Sequence, residues 1–257
     1  MNKASAVTKA ATPTIHQESV HIRLEEKITL VGNRDGGLQN LEVHGLVTLK
    51  ITDEKLGRIK LAIDNTDDKG IQLQTHPNVD KKLFLTSGLI ALKNPTKPFP
   101  MNQDIGVLKW RFQTHDDSFM PLSINCWPNP TGSGCDVNII YELERTDMEL
   151  NDVIISVPLP AGVGAPVVSE CDGDYHHDSR KCTLEWSLPV IDESNKSGSM
   201  EFSISGMPDD FFPVTVSFIS KKLYCDIQFR DARQVDDSVP VKYSSEILFY
   251  VDKYEIV

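Results

Sequence analysis

Val20-His-Ile-Arg-Leu-Glu-Glu-Lys-Ile-Thr-Leu-Val-Gly32, then Asn33-Arg-Asp-Gly-Gly37, then Leu38-Gln-Asn-Leu-Glu-Val-His-Gly-Leu-Val-Thr-Leu-Lys-Ile51 is the stretch that decides the fold. Val20, Ile22, Leu24, Ile28 and Leu30 share one parity, while His21, Arg23, Glu25, Lys27 and Thr29 take the other. Successive side chains of a strand face opposite ways, so this is a sheet with one buried face. Glu26 is the single polar residue on the apolar side. The Asn33–Gly37 run tolerates the positive φ angles of a hairpin connection. The answering strand alternates through Leu41, Val43, Gly45, Val47, Leu49 and Ile51.

The same period runs outward along the chain. Ile59/Leu61/Ile63, Val137/Ile139/Tyr141/Leu143, Val153/Ile155/Val157/Leu159 and Leu184/Trp186/Leu188 alternate. So do Met200/Phe202/Ile204, Val214/Val216/Phe218 and Leu223/Cys225/Ile227/Phe229. No window of about twelve residues keeps a helical period. Fifteen glycines and fifteen prolines supply turns. The expectation is an all-β chain of antiparallel β-sandwich units. Its 257 residues allow one large domain or two small ones at roughly 150 residues per domain. Cys126–Asp136, with two prolines and two glycines, and Met207-Pro-Asp-Asp210 read as boundaries. Residues 120–209 are therefore expected to form a subdomain inserted into one built from 20–119 and 210–257. Residues 1–19, rich in Ala, Thr, Ser and Lys, read as a linker or disordered tail.

Charge and composition exclude several classes. Asp and Glu number 37 against 26 Lys and Arg, a formal net charge of −11, whereas a nucleic-acid ligand needs a basic footprint. No apolar run approaches the roughly 18 residues that span a bilayer. Met1–Thr14 carries two lysines and no apolar core, so it is not a secretory leader. Five cysteines, an odd number, point to free thiols and a cytoplasmic address.

Candidate chemistry is sparse. Cys171, His176, His177 and Cys182 are zinc-type donors, but the spacing does not match paired ligands. They read instead as a polar hairpin tip between Val167-Val168 and Thr183–Trp186. In Asp64-Asn-Thr-Asp-Asp-Lys-Gly70 the third and sixth positions of a calcium loop are Thr66 and Lys69, so a solvated turn is expected. The glycines of Gly32–Gly37 and Gly162–Gly164 form no phosphate loop, and no nucleophile elbow is present. His16, His21, His44, His76 and His115 are scattered. The reading is a non-enzymatic chain without metal or cofactor. An open sandwich does leave strand edges that can take an extended peptide. Val214–Lys222 is the candidate edge, its Lys221-Lys222 pair serving either to deter self-association or, like Lys81-Lys82, to meet acidic peptides or lipid headgroups.

Five runs go further than class: Gly70-Ile-Gln-Leu-Gln-Thr-His-Pro-Asn-Val-Asp-Lys-Lys-Leu-Phe84, Gly106-Val-Leu-Lys-Trp-Arg111, Ser156-Val-Pro-Leu-Pro-Ala-Gly-Val-Gly-Ala-Pro166, Asp210-Phe-Phe-Pro-Val214 and Val251-Asp-Lys-Tyr-Glu-Ile-Val257. From about Val20 to Val257 the chain resembles the μ-homology domains of coatomer (COPI) delta subunits. The resemblance implies an all-β fold with one subdomain inserted into the other. It also implies a preceding longin-like domain, which makes the chain a C-terminal fragment and leaves the native status of Met1 open. The implied setting is a cytosolic coat that works with other coatomer subunits. That coat is recruited to Golgi membranes by Arf GTPases for retrograde and intra-Golgi transport.

Clathrin-adaptor members of this family hold tyrosine peptides with an aspartate, a lysine and a Trp-Val-Arg run. On this sequence those positions fall on Arg23, Lys50 and Ser244-Ser-Glu246, so only the lysine is kept. Arginine offers donors only, so tyrosine motifs are not expected to bind. The resemblance implies tryptophan-bearing acidic peptides instead, from tethering factors and Arf GTPase-activating proteins. The expected contact residues are Arg23, Lys50, Gln72, His76, Lys81, Lys82 and Phe218, within a basic patch near Lys50 or Lys81-Lys82. A purely structural module between coat subunits is the alternative. Trp110 and Trp186 are expected in the core and Trp127 at the surface.

Overall fold

The computed structural model describes residues 17–257; the expected tail, 1–19, lies outside the described residues except for its last three. In chain order the elements are β1 (Val20–Gly32), β2 (Leu38–Ile51), β3 (Ile59–Asn65), β4 (Gln72–Thr75), α1 (Lys81–Ser87) and β5 (Leu89–Ile90). Next come β6 (Ile105–Thr114), β7 (Leu122–Pro130), β8 (Cys135–Leu143), β9 (Leu150–Pro158), β10 (Val167–Cys171) and β11 (Asp174–Asp178). The chain ends with β12 (Thr183–Ile191), β13 (Ser197–Ile204), β14 (Val214–Ser220), β15 (Ile227–Gln234) and β16 (Ser244–Ile256).

The strands form three sheets. A nine-stranded sheet runs β11-β12-β9-β14-β16-β1-β2-β6-β4, a four-stranded sheet β10-β13-β8-β7 and a three-stranded sheet β15-β3-β5. All strands of the four-stranded sheet come from between residues 120 and 209, and those of the three-stranded sheet from outside it. The nine-stranded sheet draws on both. The apolar parities read from the sequence face one buried cluster that includes Ile22, Leu61, Ile139, Trp186 and Phe249. Tyr141 of β8 meets Trp186 of β12 across the sheets, ring centroids 5.3 Å apart. Trp110 and Trp186 are buried and Trp127 is exposed, and all five cysteines are free, as expected.

Three expectations need correction. β1 and β16 pair in parallel, so the nine-stranded sheet is not wholly antiparallel. Strands distant in sequence are not bound by the geometry of a hairpin. Second, β14 is not an edge, because it pairs with β9 on one side and β16 on the other. Third, Cys171–Cys182 is not a tip between Val167-Val168 and Thr183–Trp186: β10 pairs with β13 in the four-stranded sheet, whereas β11, carrying His176 and His177, forms its own hairpin with β12 in the nine-stranded sheet, closed by residues 179–182. Gly173, at φ 92°, lies where the chain changes sheet. Among the described residues no group of His, Cys, Asp and Glu is placed to hold a metal. The Asp64–Gly70 segment is a turn that holds an internal cation: Lys69 Nζ lies 2.9 Å from Asp67 Oδ2 and 3.3 Å from Asp226 Oδ2.

Glu26 is fully buried on β1. It accepts from Trp110 Nε1 of β6 at 2.6 Å, from Cys225 N at 3.2 Å and from Tyr224 N. These donors tie β1 and β6 to the segment following β14. Burial pushes its carboxyl up to about 7, against the opposing pull of the donors. The indole reaches Glu26 by crossing Gly45 on β2, where a Cβ would stand 1.8 Å from Trp110 Cε2.

Candidate peptide-binding site

The sequence-predicted residues separate into distinct places. Arg23 and Lys50 lie on the outer face of the nine-stranded sheet, Arg23 level with Thr48 and Glu246, and His21 between Lys50 and Ser244. Strand pairing thus brings together Arg23, Lys50 and Ser244–Glu246. Several polar groups there are already engaged. His21 hydrogen-bonds Ser244 Oγ at 2.8 Å and Glu246 Oε1 at 3.3 Å, and Arg23 contacts Glu25 at 3.1 Å and Glu246 at 3.9 Å. The carboxylate nearest Arg23 therefore has cationic or donor partners, leaving a tyrosine hydroxyl without a committed acceptor. A tyrosine-motif peptide is expected to give no heat in calorimetry; binding at tens of micromolar would refute this.

A different region has the shape for an aromatic anchor. A groove of about 540 Å³ lies between α1, β3, β4 and β15. Asp80 starts α1 by accepting from Leu83 N at 3.0 Å, and Gly88 ends it at φ 68° with its N–H on Phe84 O. A Cβ on Gly88 would come within 2.5 Å of Ile63 O, so glycine lets the helix end close against β3. The seven-residue helix cannot turn two adjacent apolar side chains into the core. Phe84 goes in, and Leu85 is left 65% exposed. Ile63, Leu73, Phe84 and Leu85 supply apolar lining, while Asp64, Asn65, Thr66 and Gln228 supply acceptors. Lys81 and Lys82 stand exposed in the first turn of α1.

Other expected contacts fall elsewhere. β4 alternates, so Leu73 lines the groove and Gln72 faces the opposite way, paired with Arg111. His76 shapes the turn into α1: its Nδ1 accepts from Asn78 N at 3.1 Å. Phe218 is not a contact residue. It is 3% exposed on a central strand, its ring centroid 5.7 Å from Phe249 and 6.1 Å from Tyr254. It shares the apolar parity of Val214 and Val216, and that parity places it in the core. The groove residues Asp64, Leu73, Leu85 and Gln228 were not anticipated. Leu85 carried a local signal, as the last of three consecutive apolar residues, Leu83-Phe84-Leu85, in a short amphipathic segment.

A β-sandwich chain whose surface offers a groove with apolar walls and polar acceptors has the form of an adaptor domain. Residues 6–254 match the adaptor complexes medium subunit family. The chain belongs to that family. It is 44% identical over 249 residues to the probable coatomer subunit delta of Caenorhabditis elegans, covering 96% of this chain and 48% of the relative. It is 39% identical over 255 residues to coatomer subunit delta-1 of Oryza sativa subsp. japonica, covering 98% and 48%. The chain thus spans about half the length of the curated relatives it matches. Among solved structures, the yeast delta-COP-I μ-homology domain superposes with TM-score 0.82 and 28% identity over 95% of this chain and 100% of that one. The yeast domain complexed with a Dsl1 WxWxV peptide matches equally, with the same score, identity and coverage. The fold is that of a μ-homology domain.

Proposed function

We propose that this chain is the peptide-binding part of a COPI coat subunit, a non-enzymatic domain that takes short tryptophan-bearing acidic peptides. The observation that carries this is the full-length likeness to the yeast domain, which was solved with a WxWxV peptide. Several features of the chain fit such a ligand. A tryptophan presents a large apolar face and one N–H donor, which suit the walls of Ile63, Leu73, Phe84 and Leu85 and the acceptors Asp64 and Asn65. Acidic flanking residues suit Lys81 and Lys82, exposed cations in the first turn of α1 on a chain of net charge −11. The partners on this reading are the other coatomer subunits, tethering factors and Arf GTPase-activating proteins. The domain would work on Golgi membranes and vesicles, attached through the coat, in Golgi-to-ER and intra-Golgi transport. We further take 120–209 as the inserted subdomain, since its boundaries enclose the entire four-stranded sheet.

Calorimetry with an acidic Trp-x-Trp peptide tests the reading, and no binding at hundreds of micromolar would overturn it. Leu85→Asp places a charge on the exposed wall of the groove. It is expected to change stability by no more than about 0.5 kcal/mol and to weaken the peptide at least about tenfold. Chemical-shift mapping that left the groove unperturbed while the peptide bound would move the site elsewhere on the domain.

A further inference from the structure

The four-stranded sheet presents a face that this function does not use. Its inward parity, Val137, Ile139, Tyr141, Met200 and Phe202, is buried. The outward parity carries charge of one sign only: β7, β8, β10 and β13 contain no lysine, arginine or histidine, and they carry Asp136, Glu142, Glu170 and Glu201. Elsewhere in the molecule strand carboxylates such as Glu25, Glu42 and Asp252 stand against basic side chains. Among the described residues these four make no ion pair.

Strand register sets Trp127, Asn138, Glu201 and Glu170 side by side across the sheet. Glu201 and Glu170 are thus directly opposed like charges, an arrangement that costs stability unless a cation lies between them. Trp127 is 47% exposed at one end of this row and Val167, beside Ser203, 68% exposed at the other edge of the face. Beneath the row is a depression of about 360 Å³ lined by Asp136, Asn138, Ser169, Glu201 and Ser203, among others. Asn138 donates from Nδ2 to Glu201 Oε1 at 2.6 Å, yet its Oδ1 is sealed from solvent and receives no hydrogen bond. That oxygen is an acceptor without a donor, next to an exposed indole and an unbalanced carboxylate.

We propose that the outer face of β7, β8, β13 and β10 is a docking surface for an extended, lysine- or arginine-bearing segment of a partner protein. The segment crosses the strands, with one cationic head over the Trp127 ring and another between Glu201 and Glu170, donating to their carboxylates. Charge selects the occupant: the strands of this face carry no base, and of its four carboxylates only Glu170 and Glu201 stand opposite one another, Asp136 and Glu142 each facing a serine, so they do not converge as metal ligands do. It lies on a different sheet from the groove at α1, so acidic and basic ligands have separate places.

The test uses the full chain, isotope-labelled, titrated with a short peptide of alternating arginine and serine, with its aspartate counterpart and with calcium chloride. The arginine peptide is expected to shift the Trp127 indole N–H and the Asn138 side-chain amide. Trp127→Ala is expected to weaken it about fivefold, and Glu201→Gln, which keeps the bond to Asn138, by a similar factor. Lys81→Ala, far from this face, should leave it unchanged. Diffuse shifts, equal shifts with the aspartate peptide or with calcium alone, or affinity unaltered in both variants would each overturn the proposal.

Discussion

Replacing Glu26 by glutamine is expected to remove most of the dependence of stability on pH between 4.5 and about 7. The carboxyl titrates at 4.5 when unfolded and at about 7 in the fold, because burial disfavours its charged form. A raised folded value means that the contribution is fully present below 4.5 and is lost as pH rises through 7. At 1.36 kcal/mol per unit, the loss is about 3 kcal/mol. Carboxylates held below their ordinary range, among them Asp67 beside Lys69, Glu42 beside Arg111 and Asp147 beside Arg145, act in the opposite sense and at lower pH. They contribute above their unfolded values and fail only on acidification, so Glu26 dominates the window. Glutamine cannot ionise, but its amide nitrogen must face at least one of three N–H donors. That mismatch costs about 1–3 kcal/mol. The variant should therefore be clearly weaker than the parent at pH 5, with the gap closed or inverted at pH 8. Urea denaturation at the two pH values reads this directly. Parallel pH slopes for parent and variant would show that Glu26 is not the titrating group.

Gly45→Ala is expected to be at least as damaging. The new methyl would fall 1.8 Å from Trp110 Cε2, so the indole must leave its place and with it the 2.6 Å bond to Glu26. Overpacking of this kind costs about 1–3 kcal/mol, and the buried acceptor left short of a donor adds about 1–3 kcal/mol more. A loss of about 3 kcal/mol or greater is the expected outcome in thermal or urea denaturation. Combining Gly45→Ala with Trp110→Leu relieves the clash, so the double variant should be more stable than the sum of its parts by over about 1 kcal/mol. Strict additivity would mean that the glycine serves some other purpose.

Both predictions begin in the first hairpin. Glu26 breaks the apolar parity of β1, and Gly45 stands within the apolar parity of β2 without a side chain. A chain read one residue at a time shows such breaks without saying what fills them. Glu26 is filled from Trp110, 84 residues away, and from Tyr224, 198 residues away. The candidate contacts fared according to the same distinction. Phe218 lay in an apolar parity, and that parity correctly meant core. Gln72 was one residue from the groove-lining Leu73, but in a strand one residue is the opposite face. Lys81 and Lys82 stand in the first turn of α1 because Asp80 begins a helix there, an ordinary local cap.

Period-two alternation determined the sheets, since a side chain's face in a strand follows from its parity alone. The recurring runs also determined the family. Strand partners could not be read in this way: backbone N–H and C=O groups are the same at every residue, so sequence does not say that β16 lies parallel to β1 or that β14 is central. Only the tertiary structure decided those neighbours. With them it decided where the groove at α1 opens, which carboxylates found a counter-charge, and which acids on the four-stranded sheet did not.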